Sequence, residues 1–263
     1  MMHLLLFWWI LSAAPASPPA SLPFPLDAPE EGRLVATDSA GRQRWRASWS
    51  MEAVIKDGLN MVRLTEEGQG LYSPFKKPVR WHFESWWLAG PPMQPSRVKK
   101  RIRDLEGNLL LTRTIEFDWE AGQARVEIRP GKARPEVKTV PVPPGTWTPE
   151  GMAVALRQMD FKEGKTLQVH LLTDEPKLYK VRFKVAGRET VATPDGPLEC
   201  YKLRMGVELG FWTLFKFLLP DTYFWFAADP PHMWVRYRGL ESGRGSPKVV
   251  RSMTSFTRRP PQN

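Results

Sequence analysis

The chain has 263 residues, of which 42% are hydrophobic, and twelve of them are tryptophan. This length and apolar content exclude a globally disordered protein and fit one large domain or two small ones. The formal net charge of +10 favours anionic partners, although a generally basic proteome would give the same composition.

The N-terminal residues have the pattern of a secretory signal. Residues 4–11 read LLLFWWIL and are followed by small residues typical of a cleavage region. This apolar block is shorter than the ~20 residues that span a bilayer. We therefore predict a signal peptide over 1–20, a Pro/Ala-rich linker over 21–32 and export to the periplasm, with an uncleaved anchor as the alternative. With no cysteine near the cleavage region, a lipobox is absent, and the mature protein is expected to be soluble or peripheral to a membrane.

Strands are predicted along the next hundred residues, where apolar and polar side chains alternate. The alternation is clearest over Trp45–Ala53. Asp57 and Gly58 then form a hairpin signal before the strand Leu59–Glu66. The further strands predicted here are Trp81–Ala89, Arg97–Arg103, Leu109–Phe117 and Gln123–Arg129. Short strands separated by turn signals indicate an antiparallel meander, which the Pro-rich segment 131–145 interrupts.

One helix is predicted, over 148–159. Thr148 suits the N-cap, Pro149 suits the first helical position, and Glu150 lies where the helix dipole favours a carboxylate. An apolar face at helical spacing consists of Met152, Ala155, Leu156 and Met159.

The strand pattern resumes after the helix. The strands predicted there are Leu167–Leu172, Leu178–Val185, Glu189–Thr193, Leu198–Val207, Tyr223–Ala227, Trp234–Tyr237 and Val249–Phe256. A turn over Thr193–Gly196 pairs two of them. The sequence thus predicts a mainly β protein, with one domain over 33–263. Its fold would be a curved antiparallel sheet, a half-barrel or open barrel, packed on the single α-helix.

Residues of the second half carry a resemblance to a known family. The first segment with this pattern contains Val185, Gly187, Glu189, Val191, Thr193, Pro194, Gly196 and Lys202. The second contains Trp225, Ala227, Asp229 and Pro231. Over 148–257 the chain resembles the bacterial envelope family catalogued as domain of unknown function 3108. The resemblance implies an exported protein whose curved sheet wraps round a helix, in the style of LolA-like periplasmic lipoprotein carriers. It implies no catalytic residues.

The sequence offers little that indicates catalysis. Asp229–His232 could form a site with Asp221 and Glu199, but an Asp-Pro-Pro sequence is a natural turn opener, so we interpret it as a turn. The histidines are scattered, and Cys200, the single cysteine, lies in a strand pattern typical of a structural thiol. We therefore expect neither an enzyme nor a metal or other cofactor.

Two segments are candidate contact sites. The first is a basic run formed by Arg97, Lys99, Lys100, Arg101 and Arg103. It is either a solvated face or a patch for anionic lipid head groups or glycan, and nucleic acid is the lowest-ranked partner for an exported protein. The second is the apolar segment 211–219, where the family pattern leads us to expect a polar connection. It is either a plug that completes the core, or a lid or membrane-touching loop next to the ligand groove.

These observations lead to two main hypotheses. The first is a non-enzymatic envelope protein that binds a lipid-like or amphiphilic ligand inside the curved sheet. The residues expected near the opening are Phe211, Trp212, Phe215, Phe217 and Trp225. The alternative is an interaction module that docks an envelope protein partner through 211–219. An enzyme that uses Asp229 and His232 ranks third.

Overall fold

The computed structural model describes residues 28–90, 92–208, 221–243 and 245–258. In the first half of the chain the strands are β1 (Glu30–Thr37), β2 (Gln43–Lys56), β3 (Leu59–Gly70), β4 (Val79–Leu88), β5 (Gln94–Asp104), β6 (Leu109–Asp118), β7 (Gln123–Pro130) and β8 (Glu136–Pro141). In the second half they are β9 (Thr146–Trp147), β10 (Thr166–Leu172), β11 (Leu178–Thr193), β12 (Gly196–Glu208), β13 (Thr222–Ala227), β14 (Trp234–Leu240) and β15 (Lys248–Arg258).

These strands form one sheet, in which β1 and β15 are neighbours at the centre. From β1 the sheet continues outward strand by strand to β8, and from β15 it continues outward to β9. Every neighbouring pair is antiparallel except β9 and β10, which are parallel. The edge strand β9 lies against β5, so the sheet curls. The prediction of a mainly β protein with one curved sheet is confirmed.

The turns between strands follow from local sequence. Asp57 and Gly58 connect β2 and β3, and both have positive φ angles, of 53° and 75°. This conformation matches the twist of a two-residue hairpin, for which Asp-Gly is a preferred sequence. The turn over Thr193–Gly196 pairs β11 with β12, and the hydroxyl of Thr193 donates a hydrogen bond to the Gly196 carbonyl at 2.7 Å.

Three parts of the sheet differ from the sequence prediction. β1 begins at Glu30, so it overlaps the end of the predicted linker 21–32, and β8 lies in the Pro-rich segment. β11 is one continuous strand, with a bulge between Val185 and Gly187, where two strands were predicted. β1 pairs with β15 from the other end of the chain, a contact that local patterns do not reveal, whereas β8 pairs with the preceding strand β7.

The helix is shorter than predicted. Helix α1 spans Met152–Ala155, and residues 156–158 continue as one turn of 3-10 helix. The N-cap is Gly151, in the left-handed conformation at φ 84°, and the predicted cap Thr148 donates its hydroxyl proton to the Glu150 carbonyl at 3.0 Å. No helix within the described ranges is long and apolar enough to cross a bilayer.

Two apolar clusters fill most of the concave side of the sheet. In the first cluster α1 and the 3-10 turn pack against the large side chains Met51, Trp87, Phe183, Leu203 and Phe226. The second cluster is rich in aromatic rings and contains Trp45, Tyr72, Val79, Trp81, Ile102 and Met253. A third, smaller cluster joins β5, β6 and β7 to β10 through Val98, Ile115, Val126 and Leu172, and it holds the curled sheet closed.

The close packing of Trp81 on Gly68 gives a stability prediction. A Cβ at Gly68 would lie 2.1 Å from the Trp81 ring. The indole cannot simply move away, because it donates a hydrogen bond to Glu66 at 2.9 Å and packs against Trp45. Gly68→Ala should therefore destabilise the protein by about 2 kcal/mol in urea unfolding followed by circular dichroism.

Gly90→Ala is the matched control. Nothing lies within 4 Å of a Cβ placed at Gly90. This substitution should change the unfolding free energy by less than about 0.5 kcal/mol. Equal stability of the two variants would show that the Trp81 ring has room to adjust.

Candidate functional site

Five side chains of β2 to β6 form a row across the concave face. Trp49, Glu66, Phe83, Lys100 and Arg113 lie directly opposite one another from strand to strand. We call these residues the interior row. On one side of the row lies Met51 of the first cluster, two residues from Trp49 along β2. On the other side lies Trp81 of the second cluster, two residues from Phe83 along β4. The interior row is thus a charged and aromatic band between two apolar layers.

Glu66 lies between Trp49 and Phe83 in the row. It accepts a hydrogen bond from the Trp81 indole at 2.9 Å. Burial raises the pKa of Glu66, while the positive charges of Arg251 and Lys100 oppose this effect. Beside it, the buried indole nitrogen of Trp49 has no hydrogen-bond partner among the described residues. The row therefore contains an indole N–H donor that no described residue accepts from.

Lys100 and Arg113 are buried, with 3% and 2% of their surface exposed. The Lys100 ammonium lies 3.3 Å from a Glu150 oxygen and 3.1 Å from an Asp174 oxygen. The Arg113 guanidinium lies 3.6 Å from Glu150 and also forms an ion pair with Asp174. We call these four residues the charge cluster. Its ammonium group also lies 4.5 Å from the centre of the Phe83 ring, a cation–π contact.

The electrostatics of the cluster keep Glu150 ionised. Burial alone would raise the pKa of this carboxyl, but the neighbouring charges of Arg113 and Lys100 outweigh burial and lower the pKa to about 2. A buried carboxylate is stable only with such partners, since an unpaired buried charge costs several kcal/mol.

Apolar side chains around the interior row face the concave side but remain partly exposed. Those lying against the two clusters in this way are Trp49, Leu64, Phe83, Leu111, Trp234 and Phe256. Inward-facing apolar groups are usually fully buried in a packed core. Their partial exposure means that solvent reaches these side chains on the concave side.

The predicted contact residue Trp225 does not line the interior. Its neighbours Phe224 and Phe226 take the concave positions of β13, so Trp225 lies on the convex face. There it is buried under Lys202, whose ammonium lies 5.4 Å from the ring centre, and its indole donates a hydrogen bond to Glu189. The other predicted contact residues, Phe211, Trp212, Phe215 and Phe217, lie outside the described residues.

The predicted basic patch is divided between the two faces of β5. Arg97, Lys99, Arg101 and Arg103 lie on the convex face, whereas Lys100 is buried on the concave face. The prediction of one five-residue patch is therefore wrong for Lys100, because successive side chains of a strand point to opposite sides.

The residues considered for catalysis are not brought together. The amide of His232 donates to the Asp229 carbonyl at 2.9 Å, so this tetrapeptide forms a turn. Asp221 pairs with Arg204 at 2.8 Å, and Glu199 accepts a hydrogen bond from the Thr190 hydroxyl.

The thiol of Cys200 is buried, and burial raises its pKa to about 11. Within the described ranges no three His, Cys, Asp or Glu side chains are grouped as metal ligands.

Several residues of the site were not identified from the sequence. Glu66 and Arg113 occupy inward positions of predicted strands, where apolar residues are expected. A charged residue at such a position is the sequence signal that could have identified them as site residues. Glu150 was assigned to a helix terminus. Asp174 lies in a loop and has no local signal at all.

One family of known proteins matches most of the chain. Residues 35–249 match the family described as "Protein of unknown function (DUF3108)". No curated protein matches the chain. A candidate lipoprotein from Parabacteroides distasonis ATCC 8503 shares 10% identity at a TM-score of 0.36, with 90% of this chain and 98% of that chain covered.

Two further solved structures are similar. A candidate exported protein with a YmcC-like fold from Bacteroides fragilis NCTC 9343 has 8% identity and a TM-score of 0.32, with 87% of this chain and 95% of that chain covered. The hypothetical lipoprotein YmcC from Escherichia coli K12 has 10% identity and a TM-score of 0.31, with 87% of this chain and 84% of that chain covered. Likenesses this weak carry no functional argument.

The charge cluster gives a pH-dependent prediction. With its pKa lowered to about 2, Glu150 contributes stability that is fully present above the unfolded pKa near 4.5 and is lost as the pH falls towards 2. Glu150→Gln should therefore cost about 3 kcal/mol of unfolding free energy at pH 7, and the difference from the wild type should shrink between pH 4.5 and pH 2.

Glu127→Gln is the control for this experiment. Glu127 forms ion pairs with Arg125 and Arg129 on the convex face, where the two arginine side chains are about half exposed and that of Glu127 is 26% exposed. Its loss should cost less than about 1 kcal/mol at any pH. A Glu150→Gln difference that stays constant down to pH 2 would contradict the assigned pKa.

Proposed function

Because the chain belongs to the DUF3108 family of proteins of unknown function, we propose a role from its own residues: an exported, non-enzymatic envelope protein that binds an amphiphilic ligand inside the curved sheet. The observation that carries this proposal is the partly exposed apolar lining on either side of the interior row. The N-terminal apolar block at residues 4–11, followed by small residues, supports export to the periplasm.

The lining favours an apolar ligand chain. Trp49, Phe83 and Trp234 each offer a large aromatic surface that a ligand could remove from water. Burial of each methylene group contributes about 0.8 kcal/mol, so a chain of about ten methylenes would gain roughly 8 kcal/mol before the cost of ordering the ligand.

The interior row also contains charged side chains that suit the polar head group of a ligand. Glu66 and Lys100 lie on either side of Phe83 in the interior row. A ligand that places its chain on the aromatic rings therefore reaches charged groups within the same row. Pockets of this type, mostly apolar with a few convergent polar groups, are typical of small-molecule sites. An amphiphile satisfies both parts of the lining.

Replacing Phe83 tests this proposal directly. Wild-type protein should bind dodecanol, a neutral single-chain amphiphile, in isothermal titration calorimetry. Phe83→Gln removes an apolar surface worth about 1.5–3 kcal/mol and should weaken binding about 10-fold or more.

Ile55→Gln is the matched control, since Ile55 is 78% exposed beside the β2–β3 turn. It should bind dodecanol as the wild type does. Circular dichroism of both variants checks that the sheet is intact. Absence of wild-type binding, or equal loss in the two variants, would rule out a ligand in the interior row.

A further inference from the structure

Two cations are placed side by side in the interior. Lys100 on β5 and Arg113 on β6 are directly opposite each other on the concave face, and both are almost fully buried. Like charges in directly opposite positions of a sheet destabilise it. Their retention in the interior therefore depends on the anions that lie against them.

The two anions of the charge cluster are held in different ways. The Glu150 side chain is 6% exposed and belongs to the segment that leads into α1, which is packed in the first apolar cluster. The Asp174 side chain is 40% exposed and comes from the loop between β10 and β11. Asp174 can leave the cluster towards solvent, whereas Glu150 cannot leave without moving the buried segment.

The guanidinium of Arg113 has hydrogen-bonding capacity to spare. Its Nε is buried without a hydrogen-bond partner among the described residues, while its two terminal nitrogens lie against Asp174 and Glu150. Arginine carries five N–H donors in a planar fork that matches carboxylate and phosphate groups. An anion with two or three oxygens would use these donors more fully than the present partners do.

We propose that Lys100 and Arg113 form an anion-binding subsite for the carboxylate or phosphate head group of the amphiphile, and that Asp174 occupies this subsite in the ligand-free protein. This inference rests on the proposed function. The contact of Lys100 with Phe83 at 4.5 Å joins the subsite to the aromatic lining, so the head group and the chain have adjoining places.

Charge balance gives this subsite its selectivity. An anionic head group that displaces Asp174 replaces one negative charge by another, so the two cations remain neutralised. A neutral head group cannot replace Asp174 without leaving a buried positive charge uncompensated. The ligand is therefore an anionic amphiphile, and the internal carboxylate competes with it.

The test compares two probes of equal chain length, dodecanoate and dodecanol, at pH 8 by isothermal titration calorimetry. The full-length wild type should bind dodecanoate about 10-fold more tightly than dodecanol. Asp174→Asn removes the internal competitor and keeps the side-chain shape, so it should bind dodecanoate about 10-fold more tightly than the wild type does. Its affinity for dodecanol should not change.

Glu175→Gln is the matched control because it removes the adjacent negative charge. Glu175 is 78% exposed at its side chain and pairs with Lys177. This variant should bind both probes as the wild type does. If Asp174→Asn and Glu175→Gln behave alike, or if dodecanoate shows no preference over dodecanol, the anion subsite is disproved while dodecanol binding still supports the proposed function. If neither probe binds, both are disproved.

Inorganic phosphate separates the two sources of an anion. Phosphate alone should bind the wild type at least 100-fold more weakly than dodecanoate does, because phosphate lacks the apolar chain that contacts the lining. Phosphate binding as tight as that of dodecanoate would make a free anion the ligand and overturn the head-group assignment.

Discussion

The charge cluster is the interaction on which the closed form of the sheet depends. It brings together β5 and β6, the segment before α1 and the loop after β10, which are distant in sequence. Uncurling the sheet would separate Lys100 and Arg113 from Glu150 and leave two like charges facing each other. Breaking a buried ion pair costs about 3–5 kcal/mol. Together with the third apolar cluster, which bridges the same strands, this penalty keeps β9 against β5.

Closure of the sheet creates the interior row as a distinct layer. The first cluster fills the space beside α1, and the second fills the space among the aromatic rings of Trp45, Tyr72 and Trp81. Between them the strands present charged residues at inward positions, where burial is costly unless each charge is paired. The raised pKa of Glu66 is one consequence of this placement, and the partly exposed lining is another. The inward charges that help to close the sheet therefore also set this layer apart from the two apolar clusters.

Sequence patterns predicted most strands because alternation is a local property. The hairpin at Asp57 and Gly58 and the turn over Thr193–Gly196 were identified from their residue types and are present in the structure. β1 was missed although it is central, since its position depends on pairing with β15 at the other end of the chain. The charge cluster could not be predicted for the same reason. Its residues come from four separate segments, and the meeting of Asp174 with Arg113 is a product of the curl.

The residues that carry the family resemblance maintain a different part of the molecule. Glu189 holds Lys202 at 2.7 Å and accepts a hydrogen bond from Trp225, while Gly187 lies at the bulge of β11. These contacts shape the convex face of β11 to β13, whereas the interior row lies on β2 to β6. A resemblance confined to 148–257 therefore identifies the scaffold and says nothing about the site. The family match over 35–249 also covers the strands of the interior row. Under the proposed function, an anion subsite in a relative would require cations at the positions of Lys100 and Arg113.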